Sequence, residues 1–310
     1  MKTTKFVIAD VFTEKRFCGN QLAVFTHAEG LDTAAMQDIA REMNYSETTF
    51  VLPPESEGDF RLRIFTPAKE LPFAGHPIVG SAFVIVAERM KTWGGAVTPV
   101  ALETKAGVIN VEVATTAGQA GRTTMTQPLP RVMSTFNDVS ALAGALSIDA
   151  SGIADTGLPI EVIYNGITVM IVPVKSIEVI KNLRPNPSEL EKVAASVNAE
   201  TVLVFTTQTE RPSSNCHSRV FAPGAGVGED PATGSANGPL GYYLARHRLV
   251  KATNDSFGIV SEQGFEMKRP STLYIKVGFE PDGQQVSKVL VGGDVVIAGR
   301  GELFLGELKY

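Results

Sequence analysis

The sequence predicts an α+β fold built as two pseudo-repeated domains. Three observations carry this. Short β-branched runs outnumber helical patterns along the 310 residues. A proline-rich break, Gln127-Pro128-Leu129-Pro130, interrupts both helix and ladder before the middle of the chain. After it, the order of strand-like and helix-like segments begins again. The length suits two domains of about 150 residues each, and the expected division is 1–128 and 129–310.

Along the first half, β-branched and aromatic content marks strands at residues 5–12, 21–26, 48–52 and 61–66. A helix is expected over 33–43, where Ala35, Met36, Ile39, Ala40 and Met43 recur at helical spacing behind the N-cap candidate Asp32. A second helix should open at His76-Pro77, since proline fits a first turn whose N–H would be unpaired anyway. Strand character returns at 97–104, 108–113 and 123–126. Beyond the break come a helix at 139–146, strands at 160–164 and 168–173, a helix at 187–197 and a strand at 201–206. A last strand at 301–310 belongs to the second half or packs back on the first.

The two halves also echo each other residue by residue. The run from Asn44 to Leu52 has a counterpart from Asn198 to Phe205, and Phe65-Thr66-Pro67 has one in Phe221-Ala222-Pro223. Ala74-Gly75-His76-Pro77 matches Thr233-Gly234-Ser235-Ala236, each leading into an apolar helix, 159 residues apart. Three matches in one order point to duplication, and two similar halves provide the kind of domain interface that ligand sites favour.

Composition narrows the partners. A formal net charge of -5 supplies no general basic field for phosphates or anionic lipid, so neither nucleic acid nor a membrane surface is an expected partner. The longest apolar helix candidate, 78–87, is about half the ~20 residues of a membrane span, and the N-terminal apolar stretch stops at Asp10. Two cysteines, Cys18 and Cys216, form no metal or redox pair, which fits a reducing cytoplasm. The histidines His27, His76, His217 and His247 lack metal-ligand spacing, and no metal site is expected. Gly292-Gly293-Asp294 and Gly299-Arg300-Gly301 lack the strand, glycine loop and helix context of a nucleotide fingerprint.

Chemistry concentrates at the paired helix starts. Gly75-His76 and Gly234-Ser235 each offer unpaired backbone N–H groups and the positive end of a helix dipole, a cradle for an anion such as a carboxylate. Taken singly, either could be turn and cap chemistry; their repetition favours function. Glu47 stands at the entrance to a strand, where it is either a solvated strand-end carboxylate or a proton-transfer group. His76 sits in a first turn, where the dipole disfavours its charged form; the alternative is a packing histidine. Asp230, before Pro231, is either a functional acid or a turn aspartate.

The stretches Phe17-Cys18-Gly19-Asn20-Gln21-Leu22-Ala23-Val24-Phe25, Asn44 to Phe50, Ala74 to Gly80, and Glu229 to Gly238 resemble the four signatures of the PhzF family, in the family's order. That resemblance implies a diaminopimelate-epimerase-like fold, in which each domain wraps a curved, barrel-like mixed sheet around a central helix and the active site lies between domains. It also implies a homodimer, a small carboxylate substrate, and neither metal nor organic cofactor. Carried over by motif, the proton-shuttling glutamate is Glu47, supported by His76, Asp230 and Ser235. The substrate-binding amides are those of Gly75 and Gly234, with Ser46 and Asn20 beside the pocket. The best-known activity of the family is isomerisation of trans-2,3-dihydro-3-hydroxyanthranilate, in which one carboxyl takes a proton from one carbon and returns it to another. Burial in a closed cleft would let it do so without loss to water.

Two other readings remain open at this stage. Racemases and epimerases of the same fold carry opposed thiols just before the paired glycines, where this chain has Ala74 and Thr233. Cys18, in Cys18-Gly19-Asn20, imitates that motif but precedes a strand-like run and is expected to be structural, as is Cys216. A non-catalytic interaction protein on the same scaffold is the second reading, disfavoured by the intact set of Glu47, His76, Asp230 and Ser235.

Overall fold

The computed structural model describes residues 2–253, 256–280 and 285–305. The chain divides into two compact units, Met1–Thr126 with Gly292–Tyr310, and Gln127–Val291. The first holds β1 (Lys2–Val11), β2 (Asn20–Phe25), α1 (Thr33–Met43), β3 (Glu47–Leu52), β4 (Phe60–Phe65), β5 (Glu70–Leu71), α2 (Gly75–Ala87), β6 (Val97–Thr104), β7 (Gly107–Thr116) and β8 (Gln119–Gln127). The second holds β9 (Arg131–Phe136), α3 (Val139–Leu146), α4 (Ser151–Ala154), β10 (Ile160–Tyr164), β11 (Thr168–Pro173), α5 (Ile177–Lys181), α6 (Pro187–Ala195), β12 (Thr201–Thr206), β13 (Cys216–Ala222), β14 (Val227–Asp230), α7 (Gly234–Arg246), β15 (Ser256–Gln263) and β16 (Ser271–Phe279). The chain crosses back within β17 (Val286–Gly293), and β18 (Val295–Leu305) pairs antiparallel with β1. Of the expected last strand, residues 301–305 therefore lie on the first unit, and 306–310 lie outside the described residues.

Strand pairing repeats between the units. In the first, β1 runs antiparallel to β2, β2 parallel to β3, β3 antiparallel to β4, β4 parallel to β6, and β6 antiparallel to β7. In the second, β10, β11, β12, β13, β15 and β16 follow the same sequence of directions. Both are mixed sheets, open rather than closed into barrels, and each packs against one long helix.

That helix is α2 in the first unit, in contact with β1, β2, β3, β6, β7 and β18. Twelve of its 13 residues are buried, as its sequence requires: GHPIVGSAFVIVA is apolar on every face and has no solvent side to offer. Its counterpart α7 packs on β11, β12, β15 and β16. Shorter helices cover the outer faces. Met36 and Ile39 of α1 lie on Phe25, Phe50 and Phe65, whose rings stack at 5.0 Å and meet edge-on at 5.5 Å across neighbouring strands. Leu142 and Leu146 of α3, with Leu190 of α6, cover Val162, Met170, Val172, Val202 and Val204. Each such fully buried side chain contributes roughly 1.5–3 kcal/mol.

Capping separates the two kinds of helix. The first-turn amides of the covering helices α1, α3, α5 and α6 donate to the N-cap side chains of Asp32, Asp138, Ser176 and Asn186. Neither central helix has a side-chain cap: α2 follows Ala74 and α7 follows Thr233. No described helix is long and apolar enough to cross a membrane.

Candidate active site

The repeated asparagines explain how Glu47 is presented. Asn44 ends α1 with φ 52°, and Asn198 takes φ 54° before β12; both occupy the left-handed region that asparagine tolerates better than most residues. Three residues beyond each asparagine a strand begins in parallel register, Glu47 opposite Leu22 and Thr201 opposite Val169. The two positions are equivalent, and only the first bears a carboxyl group. Ser46, next to it, is half-buried.

Glu47 keeps 14% of its side chain exposed and lies 3.4 Å from His76, Oε2 to Nε2. His76 is the second residue of α2 and is itself 4% exposed. Its other nitrogen, Nδ1, is 3.1 Å from Nδ2 of the buried Asn20. With the amide nitrogen as donor, Nδ1 would accept and the ring proton would sit on Nε2, facing the carboxylate. Burial drives the imidazole pKa down to about 3, with a backbone hydrogen bond at Gln21 opposing it. At neutral pH the pair is thus a carboxyl group beside a neutral imidazole. Gly19, at φ +66°, permits the turn that delivers Asn20: a Cβ there would stand 2.3 Å from the Val11 carbonyl.

In the second unit, Asp230 and Ser235 are 8% and 7% exposed and flank the start of α7, whose first residue is Gly234. Asp230 accepts a short hydrogen bond from the Thr233 hydroxyl. The first turn of α7 is braced by side chains that sequence reasoning did not single out. Gln127 donates to the Gly234 carbonyl at 2.8 Å, and Asn165 to the Ser235 carbonyl at 3.0 Å. Gln127, read from the sequence as the start of the proline-rich break between the halves, is 3% exposed. Proline at 239, inside the helix, was the available signal: it removes the N–H that would serve the Ser235 carbonyl, so a substitute donor was required.

Neither cysteine lies at a paired helix start. Cys216 is fully buried, and burial pushes its thiol up to about 12, far from a thiolate at neutral pH. Among the described residues, no group of three or more His, Cys, Asp or Glu side chains is placed to hold a metal ion.

Comparison with known proteins gives this arrangement a family. The model of phenazine biosynthesis-like proteins, PhzC-PhzF, matches residues 9–301. The chain belongs to the PhzF family. Among its relatives is the trans-2,3-dihydro-3-hydroxyanthranilate isomerase of Pseudomonas fluorescens, 38% identical over 97% of this chain and 99% of that protein. The enzyme of that name from Pseudomonas aeruginosa is 36% identical, with the same shares covered. A PhzF-family crystal structure from Bacillus anthracis has a TM-score of 0.86 at 28% identity, covering 98% of this chain and all of that one. A hydroxyproline epimerase from Agrobacterium vitis shares the fold at a TM-score of 0.68 and 12% identity, covering 98% and 91%. This PhzF protein is an isomerase, with the diaminopimelate-epimerase-like architecture expected from its motifs.

Proposed function

We propose that this PhzF isomerase moves a proton within a small cyclic carboxylate of the trans-2,3-dihydro-3-hydroxyanthranilate class, with Glu47 as both acceptor and donor. The observation that carries the reading is the 3.4 Å approach of the Glu47 carboxylate to the buried, neutral His76 at the uncapped start of α2. A carboxylate in that position takes a proton from a substrate carbon as the adjoining double bonds shift, and returns it to another carbon of the conjugated system. No atom is gained or lost. A neutral His76 donates toward charge developing on the substrate, which an imidazolium partnered to Glu47 would do at the expense of the base.

In this reading Asp230 and Ser235 act on the same substrate, and the Gly75 and Gly234 amides bind its anionic group. The relatives named for the dihydrohydroxyanthranilate reaction support the substrate class. Function as a homodimer, without metal or organic cofactor, belongs to the same proposal. Racemase chemistry gains no support from Ala74 and Thr233, which carry no thiol.

The test is isomerisation of trans-2,3-dihydro-3-hydroxyanthranilate in deuterated water by the purified chain and by Glu47→Gln. The wild type should turn over and exchange hydrogen at carbon, and the variant should lose at least ~10²-fold in kcat. Full activity in the variant would remove Glu47 from the chemistry.

A further inference from the structure

The start of α7 poses a question that α2 does not. At α2 the N-cap position is Ala74, which has no side-chain oxygen and cannot cap. At α7 it is Thr233, one of the residue types that cap helices well, yet its hydroxyl makes no bond to the helix. The backbone amides of Ala236 and Asn237 turn back onto the Thr233 carbonyl, at 3.2 and 3.1 Å. Gly234 and Ser235 therefore hold the amides of the first turn, without intrahelical partners.

The reason lies in Gln263, the fully buried last residue of β15. Its Oε1 accepts from the Thr233 amide at 3.1 Å and from Asn237 Nδ2 at 3.0 Å. Those two donors fix the orientation of the amide. Its Nε2 then donates to the Asp230 carbonyl at 2.7 Å and to Thr233 Oγ1 at 3.1 Å. A hydroxyl that accepts from Gln263 has one hydrogen left to give, and Thr233 gives it to the Asp230 carboxylate. Donation thus runs in one direction, from Gln263 to Thr233 to Asp230.

We infer that Gln263 is a positioning residue: by turning the Thr233 hydroxyl onto Asp230, it withholds the side-chain cap from α7 and keeps the Gly234 and Ser235 amides available to the substrate's anionic group. The substrate part of this inference rests on the isomerase reading above; the orientation of Thr233 does not.

The experiment separates the two. Amide hydrogen exchange at Gly234 and Ser235 is measured by NMR in the ligand-free protein, for wild type, Thr233→Val, Gln263→Met, Gln263→Glu, and each Gln263 variant combined with Thr233→Val. Thr233→Val alone should leave both amides exchanging within threefold of wild type, because the hydroxyl does not cap. Either Gln263 variant, Met having no donor and Glu none once ionised, should slow Ser235 exchange about tenfold as the freed hydroxyl swings to its own helix. Adding Thr233→Val should abolish that slowing. Faster exchange in Thr233→Val, or a folded Gln263 variant with no slowing, overturns the inference; if neither Gln263 variant folds, the Thr233→Val result decides. In the isomerase assay, Gln263→Glu should raise KM about tenfold, and Thr233→Val in that background should bring KM back to within threefold of wild type. Absence of wild-type turnover would sink the isomerase reading alone, since the exchange measurements stand without substrate.

Discussion

Asn165 supplies the hydrogen bond that the Ser235 carbonyl cannot receive from its own helix. The helical donor would be the amide of residue 239, which is proline, and Asn165 Nδ2 stands 3.0 Å away in its place while also donating to Gln127 Oε1 at 2.9 Å. The candidate catalytic residue Ser235 is therefore held through its backbone by a buried side chain from the turn between β10 and β11.

Asn165→Leu should accordingly leave a buried carbonyl without a donor and destabilise the protein by about 1–3 kcal/mol. Pro239→Ala restores an N–H at the right register. In the wild-type background that N–H competes with Asn165 and adds little, whereas in the Asn165→Leu background it should recover about 1 kcal/mol. Urea unfolding of the four proteins measures the coupling. Strict additivity would show that Asn165 and Pro239 are independent.

In the first unit, Asn20 has the corresponding duty toward His76. Donation from its amide to Nδ1 would place the ring proton on Nε2, the nitrogen facing Glu47. Asn20→Leu frees the ring to take the other tautomer, and kcat should fall on the order of 10²-fold with KM nearly unchanged. Nitrogen NMR of the imidazole is the independent check: the Nε2-protonated form should dominate in wild type and lose that dominance in the variant.

Glycines with open and closed surroundings should behave oppositely. A Cβ on Gly238 would lie 1.8 Å from Gln127 Oε1, so Gly238→Ala must displace the side chain that braces the Gly234 carbonyl, at a cost of about 1–3 kcal/mol. Gly144, within α3, has nothing within 4 Å of such a Cβ, and Gly144→Ala should stabilise by roughly 0.5–1 kcal/mol through helix propensity. Thermal melts of the two variants should shift in opposite directions.

What could be read in the sequence follows from local signals. The helix expected at 33–43 forms over those residues behind the Asp32 cap, and strands 97–104, 160–164, 168–173 and 201–206 appear with the expected bounds. The Asn44 and Asn198 echo was visible because both asparagines satisfy the same left-handed turn. The strand β9 was missed because it is largely exposed and its apolar Val132, Met133 and Phe136 do not alternate with polar residues. Asn165 was hidden for another reason: Asn165-Gly166 reads as ordinary turn chemistry, and only the fold shows that its side chain reaches α7. Gln263 lies in a strand whose local pattern says nothing of a partner some 30 residues away. Glu47 opens β3 and His76 lies in the first turn of α2, so no single local pattern joins them, and their proposed roles rest on their motifs.

Two buried histidines should give the stability of the protein a maximum near pH 6.5. His76, with its pKa lowered from 6.5 to about 3, is neutral in the folded state while the unfolded chain takes up a proton. Its contribution is complete above pH 6.5 and is lost progressively as pH falls toward 3, amounting to a few kcal/mol, about 5 at most. His217 behaves oppositely. Burial alone would lower its pKa, but Glu262 at 2.9 Å on Nδ1 and Glu266 at 3.0 Å on Nε2 overcome that and hold it at about 9. The folded state then keeps a proton that the unfolded chain releases, so this contribution, on the order of 3 kcal/mol, is complete below pH 6.5 and is lost as pH rises through 9. Below pH 4.5 the lowered carboxyls of Glu262 and Glu266 add to the acid loss. Urea unfolding between pH 4 and 9.5 should show stability rising to about pH 6.5 and declining above pH 7. His217→Gln, less stable at every pH, should lose most of the alkaline decline, keeping only the part above about pH 8.5 that the buried Cys216 thiol contributes, and should keep the acid limb. A wild-type profile flat from pH 7 to 9.5 would mean that His217 is neutral in the folded protein.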